Sequence, residues 1–144
     1  MLFLPQEAIE TVRREGEKAY PAECCGLLIG RASGGEYRVA WAFPCRNLYE
    51  GESDHRYEID PYDFIRADRF ARQRGMDVIG AYHSHPDHDP RPSQCDAQHA
   101  FGGFPYLIVS VQKGRAGEMR SWLFVEGEGF YEQKIVPLSE SSLA

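Results

Sequence analysis

The stretch from His83 to Asp96 constrains this chain more than any other, because it places polar, metal-binding side chains where an apolar strand ends. Residues 77–82 form a short apolar run with strand character, and a strand sends every second side chain to the same face. His83 and His85 therefore point the same way. They are separated by roughly 6.5 Å of strand, so both imidazoles can lean toward one ion at about 2.0–2.1 Å.

Asp96 is the candidate for a third ligand. Pro90 and Pro92 keep the loop from continuing as strand or helix, and Ser93 has the character of a helix start. Such a turn folds Asp96 back toward the two histidines. Two histidines and one carboxylate give three protein ligands, the number used by catalytic zinc sites that keep a fourth position open.

Each part of this pattern also has an ordinary explanation. Ser93-x-x-Asp96 is a helix-capping pattern, in which the serine oxygen accepts a backbone N–H and the acidic side chain reaches back. A His-x-His pair at a strand end is often just a pair of polar residues. The metal-site hypothesis depends on all four groups occurring on one short strand, loop and helix, with a candidate base elsewhere in the chain.

That candidate base is Glu23, which stands immediately before the glycine-bounded apolar run 24–30. This position predicts a carboxylate at the mouth of a buried strand and not on a solvated helix face. The alternative is a surface glutamate at a helix-to-strand turn.

The five residues together resemble the signature of the JAMM, or MPN-plus, metallopeptidases. Glu23 is followed by His83-x-His85, seven residues, and Ser93-x-x-Asp96. The sequence Glu-Cys-Cys-Gly-Leu-Leu-Ile-Gly is also similar to the glutamate strand of bacterial members. Residues 101–105 run directly into the next predicted strand, with no room for the long insertion of eukaryotic relatives specific for ubiquitin chains. The chain therefore resembles the short prokaryotic branch.

The resemblance implies an α/β fold of the MPN/JAMM type, similar to cytidine deaminases, with a mixed β-sheet core flanked by helices. It implies that His83, His85 and Asp96 hold one Zn²⁺ per chain, that Glu23 moves protons to and from the attacking water, and that Ser93 supports the oxyanion. The same three ligands also suit other divalent ions.

The reaction implied by the resemblance is hydrolysis of the amide bond after the C-terminal tail of a ubiquitin-like or sulfur-carrier protein. We expect this tail to be flexible, to end in Gly-Gly, and to be held extended against a strand edge, because glycine permits close approach to a recessed metal. The sequence leaves the leaving group open.

Two other functions fit a related topology. A catalytically inactive MPN-type scaffold or protein-interaction domain typically lacks ligands or the glutamate, whereas all five groups are present here. A zinc nucleoside deaminase uses H-x-E with P-C-x-x-C. Here the third position of the first motif is His85, and Pro44-Cys45 is followed by Arg-Asn-Leu.

Composition limits the partners. The 144 residues, 42% hydrophobic and 26% charged, suit one domain, predicted at residues 1–138 with a flexible tail at 139–144. A net charge of −6 argues against nucleic acid as a partner, since phosphate binding needs clustered basic residues. No window approaches the ~20 apolar residues of a membrane span, and the first residues lack a secretory-signal pattern. We therefore expect a cytoplasmic protein without a membrane partner.

Periodicity and turn residues predict a mixed set of elements. Helices are expected at 5–20, at 60–74 with Asp60-Pro61 at its start and Gly75 after its end, and from Ser93 to Ala100. A hairpin is expected from strands 25–31 and 37–43, and the metal strand follows the second helix. The predicted strands after the metal helix are 106–111, 119–125 and 130–136.

The cysteines and arginines carry weaker signals. Cys24, Cys25, Cys45 and Cys95 have no C-x-x-C spacing, so we expect free thiols. The one basic cluster lies in the second predicted helix among Asp63 and Asp68, which favours a paired, solvated face over a docking surface for an acidic partner; its members are Arg66, Arg69, Arg72 and Arg74.

Overall fold

A computed structural model describes residues 1–49 and 57–139 of the chain, which fold into one mixed sheet with helices on both faces. The strands are β1 (Leu2–Pro5), β2 (Cys25–Ser33), β3 (Glu36–Cys45), β4 (Asp77–Pro86), β5 (Pro105–Gln112), β6 (Arg115–Val125), β7 (Gly129–Gln133) and β8 (Ile135–Leu138). The helices are α1 (Gln6–Ala19), α2 (Pro61–Gln73) and α3 (Gln94–Gln98). The fold class predicted from the sequence is confirmed.

The strand order across the sheet, β7-β6-β5-β4-β2-β3-β1-β8, places β4 in the interior. β4 runs antiparallel to β2 and parallel to β5. Its C-terminal end therefore lies between the first residues of β2 and the last residues of β5. The two histidines of the sequence motif, His83 and His85, lie at this end of β4.

The two faces of the sheet have separate cores. On one face, Val12 of α1 packs into a cluster with Leu28, Tyr82 and Val109. On the other face, Ala67 and Ala71 of α2 belong to a cluster completed by Leu27, Ile29, Ala81 and Tyr106. Because alternate side chains of β4 point to opposite faces, Ala81 and the two motif histidines project to the side of α2.

The ends of α2 follow the predicted capping chemistry. The Asp60 side chain accepts a hydrogen bond from the Tyr62 N–H at 2.9 Å, and Pro61 occupies the first turn. Gly75 follows the end of the helix with φ +68°, a conformation that glycine adopts without steric penalty. The Arg46 guanidinium lies 2.7 Å from Asp60, which ties the segment after β3 to the start of α2.

The element prediction differs from the structure in several places. Helix α1 has Pro5 as its N-cap, as the predicted start implies, but Pro5 also ends β1, a strand that was not predicted and that pairs in parallel with β3 and β8. The strand predicted at 130–136 is two strands interrupted at Lys134, and β7 and β8 lie at opposite edges of the sheet. The metal helix, α3, is a single turn that ends at Gln98.

Two arginines of the predicted basic cluster pair with aspartates of α2, as the sequence favours. Arg66 lies 2.8 Å from Asp63 and Arg72 lies 3.0 Å from Asp68. The Arg74 guanidinium stacks 3.5 Å from the ring centre of Phe70. The four cysteines are free thiols, as predicted.

The predicted flexible tail lies outside the described residues apart from Ser139. None of the helices in the described part of the chain has the length and apolar character needed to traverse a lipid bilayer.

Candidate metal centre

The C-terminal end of β4 brings the imidazoles of His83 and His85 together on the α2 side of the sheet. His83 is fully buried and His85 is 6% exposed. Their Nε2 atoms lie 3.2 Å apart, because the two side chains leave the strand on the same face. The sequence prediction that both histidines address one point is therefore met by their geometry.

Asp96 reaches the same point from α3 through its helix cap. The Ser93 hydroxyl oxygen accepts the Asp96 N–H at 3.1 Å, and the Ser93 N–H donates to Asp96 Oδ2 at 2.8 Å. The same carboxylate lies 3.2 Å from His83 Nε2 through Oδ1 and 3.1 Å from His85 Nε2 through Oδ2. The capping pattern and the metal-site pattern are thus one structure, since the cap holds the carboxylate against the histidines.

Hydrogen bonding fixes which nitrogen of His85 faces the centre. His85 Nδ1 lies 2.8 Å from the Asp89 carbonyl oxygen, which can only accept, so Nδ1 carries a proton. In the neutral ring, Nε2 is then an acceptor that faces the acceptor Asp96 Oδ2. Two acceptors at this separation are stabilised only by a shared proton or a cation.

The donor atoms also have the spacing that zinc requires. Within the described residues, His83, His85 and Asp96 form the one group of three metal-binding side chains with converging donor atoms. The two Nε2 atoms lie 3.2 Å apart, close to the edge of about 3.3–3.4 Å in a tetrahedron whose corners lie 2.0–2.1 Å from its centre, and each of them lies 3.1–3.2 Å from a different oxygen of Asp96. The residues present therefore fit a tetrahedral ion.

The electrostatics of the three groups suit metal binding. Burial lowers the pKa of His83, which keeps this ring neutral. Burial alone raises the pKa of Asp96, but the hydrogen bonds from His83, His85 and the Ser93 N–H lower it well below its usual range. Burial lowers the pKa of His85, but the hydrogen bonds to Asp96 and the Asp89 carbonyl raise it overall. The site thus combines an ionised carboxylate with imidazoles that present Nε2.

Glu23 lies just before β2 and is 5% exposed. Cys25 pairs with His83 in the antiparallel ladder, and the Ser84 N–H to Cys24 carbonyl bond of 3.3 Å continues this register by one residue. The same register places Glu23 opposite His85 and on its face of the sheet.

Glu23, His85 and Ser93 line one cavity of about 540 Å³. Its other lining residues are mostly polar and come from the loop between β4 and α3; they include His88, Asp89, Arg91 and Gln94. The two predicted catalytic side chains therefore share a chamber with one of the predicted ligands.

A second cavity, of about 510 Å³, opens on the other side of Asp96. It is lined mainly by apolar side chains of residues 57–59, α2 and the segment after α3, among them Ile59, Phe64, Phe101 and Phe104. Cys95 lines both cavities. The centre thus lies between a polar and an apolar chamber that meet at α3.

Two supporting residues were not predicted. The Tyr57 ring stacks on His83 with ring centres 4.6 Å apart. Asn47 donates from Nδ2 to the Glu23 carbonyl at 3.2 Å and accepts from the Glu58 N–H at 2.9 Å. Asn47 therefore links the backbone of Glu23 to the segment that carries Tyr57. The asparagine after β3 was the available signal, because buried turns favour Asn side chains that bond to backbone.

In the described part of the chain, the other histidines and the cysteines do not belong to the group of converging donor atoms. His88 lines the polar cavity, and His99 Nδ1 lies 2.9 Å from the Cys95 carbonyl at the end of α3. Burial raises the pKa of Cys24 and Cys45 to about 12. These two thiols are therefore protonated and chemically inert near neutral pH.

Comparison with known proteins decides the family. Residues 5–125 match the family described as prokaryotic homologs of the JAB domain. The chain is a prokaryotic JAB-domain protein. This agrees with the resemblance of its histidine, serine and aspartate motif to the JAMM signature.

Two named proteins and one protein of known structure illustrate what this JAB-domain protein is similar to. A desampylase of Haloferax volcanii is 36% identical over 107 residues, covering 73% of this chain and 75% of the relative. A probable TtuB-protein conjugate cleaving protease of Thermus thermophilus is 28% identical over 128 residues, covering 89% and 79%. The solution structure of a Desulfitobacterium hafniense protein superimposes with a TM-score of 0.86 at 30% identity, covering 97% and 94%.

Proposed function

We propose that this JAB-domain protein is a zinc-dependent isopeptidase that hydrolyses the amide bond after the C-terminal tail of a ubiquitin-like or sulfur-carrier protein. The observation that carries this proposal is the convergence of donor atoms from two buried histidines, His83 and His85, and the partly buried Asp96 beside a buried glutamate. Relatives named as a desampylase and as a conjugate-cleaving protease support the same reaction class.

His83, His85 and Asp96 would hold one zinc ion per chain. When bound there, zinc supplies Lewis acidity, which polarises the scissile carbonyl and makes water a nucleophile near neutral pH. The protein keeps the donor atoms at fixed spacing, because β4 holds the two histidines and the cap of α3 holds Asp96.

Glu23 has the position required of a proton carrier. Its carboxylate is buried on the wall that also holds His85, and within hydrolytic sites such a carboxylate can accept a proton from the attacking water. The same proton is then donated to the departing amine, so Glu23 ends the cycle in its starting state.

Ser93 has a hydroxyl group that can serve the oxyanion while it caps α3. The cap uses a lone pair of Oγ to accept the Asp96 N–H, and this leaves the O–H to donate to the oxygen that becomes negative during attack. Such a donor contributes about 2.7–4 kcal/mol to the stability of the transition state in other hydrolases.

The linings of the two cavities support one orientation of the substrate, with its leaving group in one cavity and its acyl side in the other. The polar cavity contains Glu23, which delivers the proton to the amine, so the leaving group lies there. The acyl side, which is the carrier tail, then lies toward the apolar cavity beyond Asp96.

Strand addition to β4 itself is not available to this tail, because β2 and β5 already pair with β4. The extended segment 57–59 borders the apolar cavity. The carbonyl and N–H of Glu58 already bond Leu48 and Asn47 on one edge of this segment, so a tail would pair with the opposite edge, toward which Tyr57 and Ile59 direct their backbone groups. We therefore place the tail against this segment.

Hydrolysis of a carrier-protein fusion tests the proposal. Zinc-loaded enzyme is expected to cleave a fusion whose tail ends in Gly-Gly, and cleavage is expected to slow strongly when both glycines are replaced by valine, since Cβ atoms prevent close approach to the recessed centre. The initial rate is measured by gel or mass spectrometry. Equal cleavage of both tails, or efficient digestion of unstructured casein, would instead indicate a general peptidase.

A further inference from the structure

The loop between β4 and α3 is held by three consecutive backbone carbonyls. The Ser110 hydroxyl donates to the His88 carbonyl at 2.6 Å, and the Trp122 indole N–H donates to the Pro90 carbonyl at 2.9 Å. Between them, the Asp89 carbonyl accepts from His85 Nδ1 at 2.8 Å. The carbonyl that fixes the His85 tautomer is therefore clamped on both sides.

Both clamping side chains come from strands and are buried. Ser110 of β5 is 4% exposed and lies beside His85 in the parallel ladder. Trp122 of β6 is 9% exposed, and its indole reaches past β5, which separates β6 from β4. Pro90 is buried although residues 87–89 are exposed, so the Trp122 bond is made in a dry environment, where its loss leaves an unpaired carbonyl.

The start of the same loop is held independently. The Asp87 carboxylate accepts from the Tyr20 hydroxyl at 2.6 Å and from the Lys113 N–H at 2.7 Å. The chain between Pro90 and the cap residue Ser93 is only two residues long. A displacement of Pro90 therefore also displaces Asp89, which precedes it, and Ser93 and Asp96, which follow it.

We propose that Trp122 is a positioning residue for the metal centre, acting through the Pro90 carbonyl to set the orientation of His85 and the placement of Asp96. This inference rests on the proposed zinc site, because positioning matters only if these groups bind a common ion. Hydrogen bonds of this outer kind orient metal ligands, and removing them typically weakens metal binding 10- to 100-fold.

Zinc affinity of the Trp122→Phe variant tests the inference. Phenylalanine keeps an aromatic ring but removes the N–H donor. Trp41→Phe is the matched control, since Trp41 is 39% exposed and packs on Phe70 of α2, away from the centre. Competition with a chromophoric chelator is expected to show about 10-fold or greater loss of Zn²⁺ affinity for Trp122→Phe and none for Trp41→Phe. Wild-type affinity in Trp122→Phe would overturn the inference.

A second measurement separates positioning from folding. In metal-free protein labelled with ¹⁵N-histidine and held at an alkaline pH, where the ring is neutral, wild-type His85 is expected to be in the Nδ1–H tautomer, and Trp122→Phe is expected to populate the other tautomer. If Trp122→Phe does not fold, Trp122→Tyr provides the same test, because it also removes the indole N–H that bonds the Pro90 carbonyl. An unchanged His85 tautomer in both variants would contradict the inference. Failure of the wild type to bind zinc would instead overturn the proposed function, and the tautomer would still decide the role of Trp122.

Discussion

His85 can present Nε2 to a metal because a backbone carbonyl holds its other nitrogen. The proton on Nδ1 is engaged by Asp89, and the helix cap supplies the carboxylate that faces Nε2. Neither the Asp89 carbonyl nor the helix cap is itself a catalytic group. Together they convert a polar strand end and an ordinary cap into a set of donors for one ion.

The residue-scale prediction concerns zinc content. His83→Ala and Asp96→Ala each remove one of three donors, so purified protein is expected to fall from about one zinc per chain to near zero, as measured by elemental analysis. His88→Ala, which changes a histidine of the loop that offers no converging donor atom, is expected to keep its zinc. Full zinc content in His83→Ala would show that the ion is held elsewhere.

The convergence of His83, His85 and Asp96 was predictable because short-range spacing carries it. His83 and His85 share a strand face, and Asp96 follows a cap residue at fixed distance in the chain. Tyr57, Ser110 and Trp122 were not predictable, because each contacts the site from an element whose position depends on the assembled sheet.

Among the elements, β2 contains an irregularity that only glycine accommodates. The pairing register with β3 shifts between Ile29 and Gly30. A Cβ placed on Gly30 would lie 1.9 Å from the Arg38 carbonyl oxygen. This close backbone approach keeps the hairpin packed beside β4, so the residue serves the strand that positions Glu23.

The element-scale prediction follows from this contact. Gly30→Ala is expected to lower the free energy of unfolding by about 1–3 kcal/mol, because backbone atoms must shift to admit the methyl group. Gly117→Ala in β6 is the control, since a Cβ there meets nothing within 4 Å, and little change is expected. Urea denaturation followed by circular dichroism measures both. Equal stability of the two variants would contradict this account of β2.

Element prediction succeeded where local signals were strong and failed where pairing was distant. Asp60, Pro61 and Gly75 marked the ends of α2 correctly. β1 has only four residues, and its partners β3 and β8 lie far along the chain. Nothing local indicates that the chain turns at Lys134 from one edge of the sheet to the other.

At the scale of the whole molecule, the two faces of the sheet differ: one carries an apolar core and the other carries the candidate metal centre. The face of α1 is a closed apolar core. The face of α2 carries the donor atoms and the two chambers that meet at Cys95. The central position of β4 gives the histidines rigid neighbours on both sides, which is what a site of fixed donor spacing requires.

The most direct test of the account is turnover of a Gly-Gly tail fusion by Glu23→Gln, with zinc content measured on the same preparation. Glutamine keeps the shape of the side chain but cannot carry a proton. We expect at least a ~100-fold loss of kcat with about one zinc per chain retained, because Glu23 is not a ligand. A Glu23→Gln enzyme that binds zinc and keeps most of its wild-type turnover would contradict the proposed proton transfer.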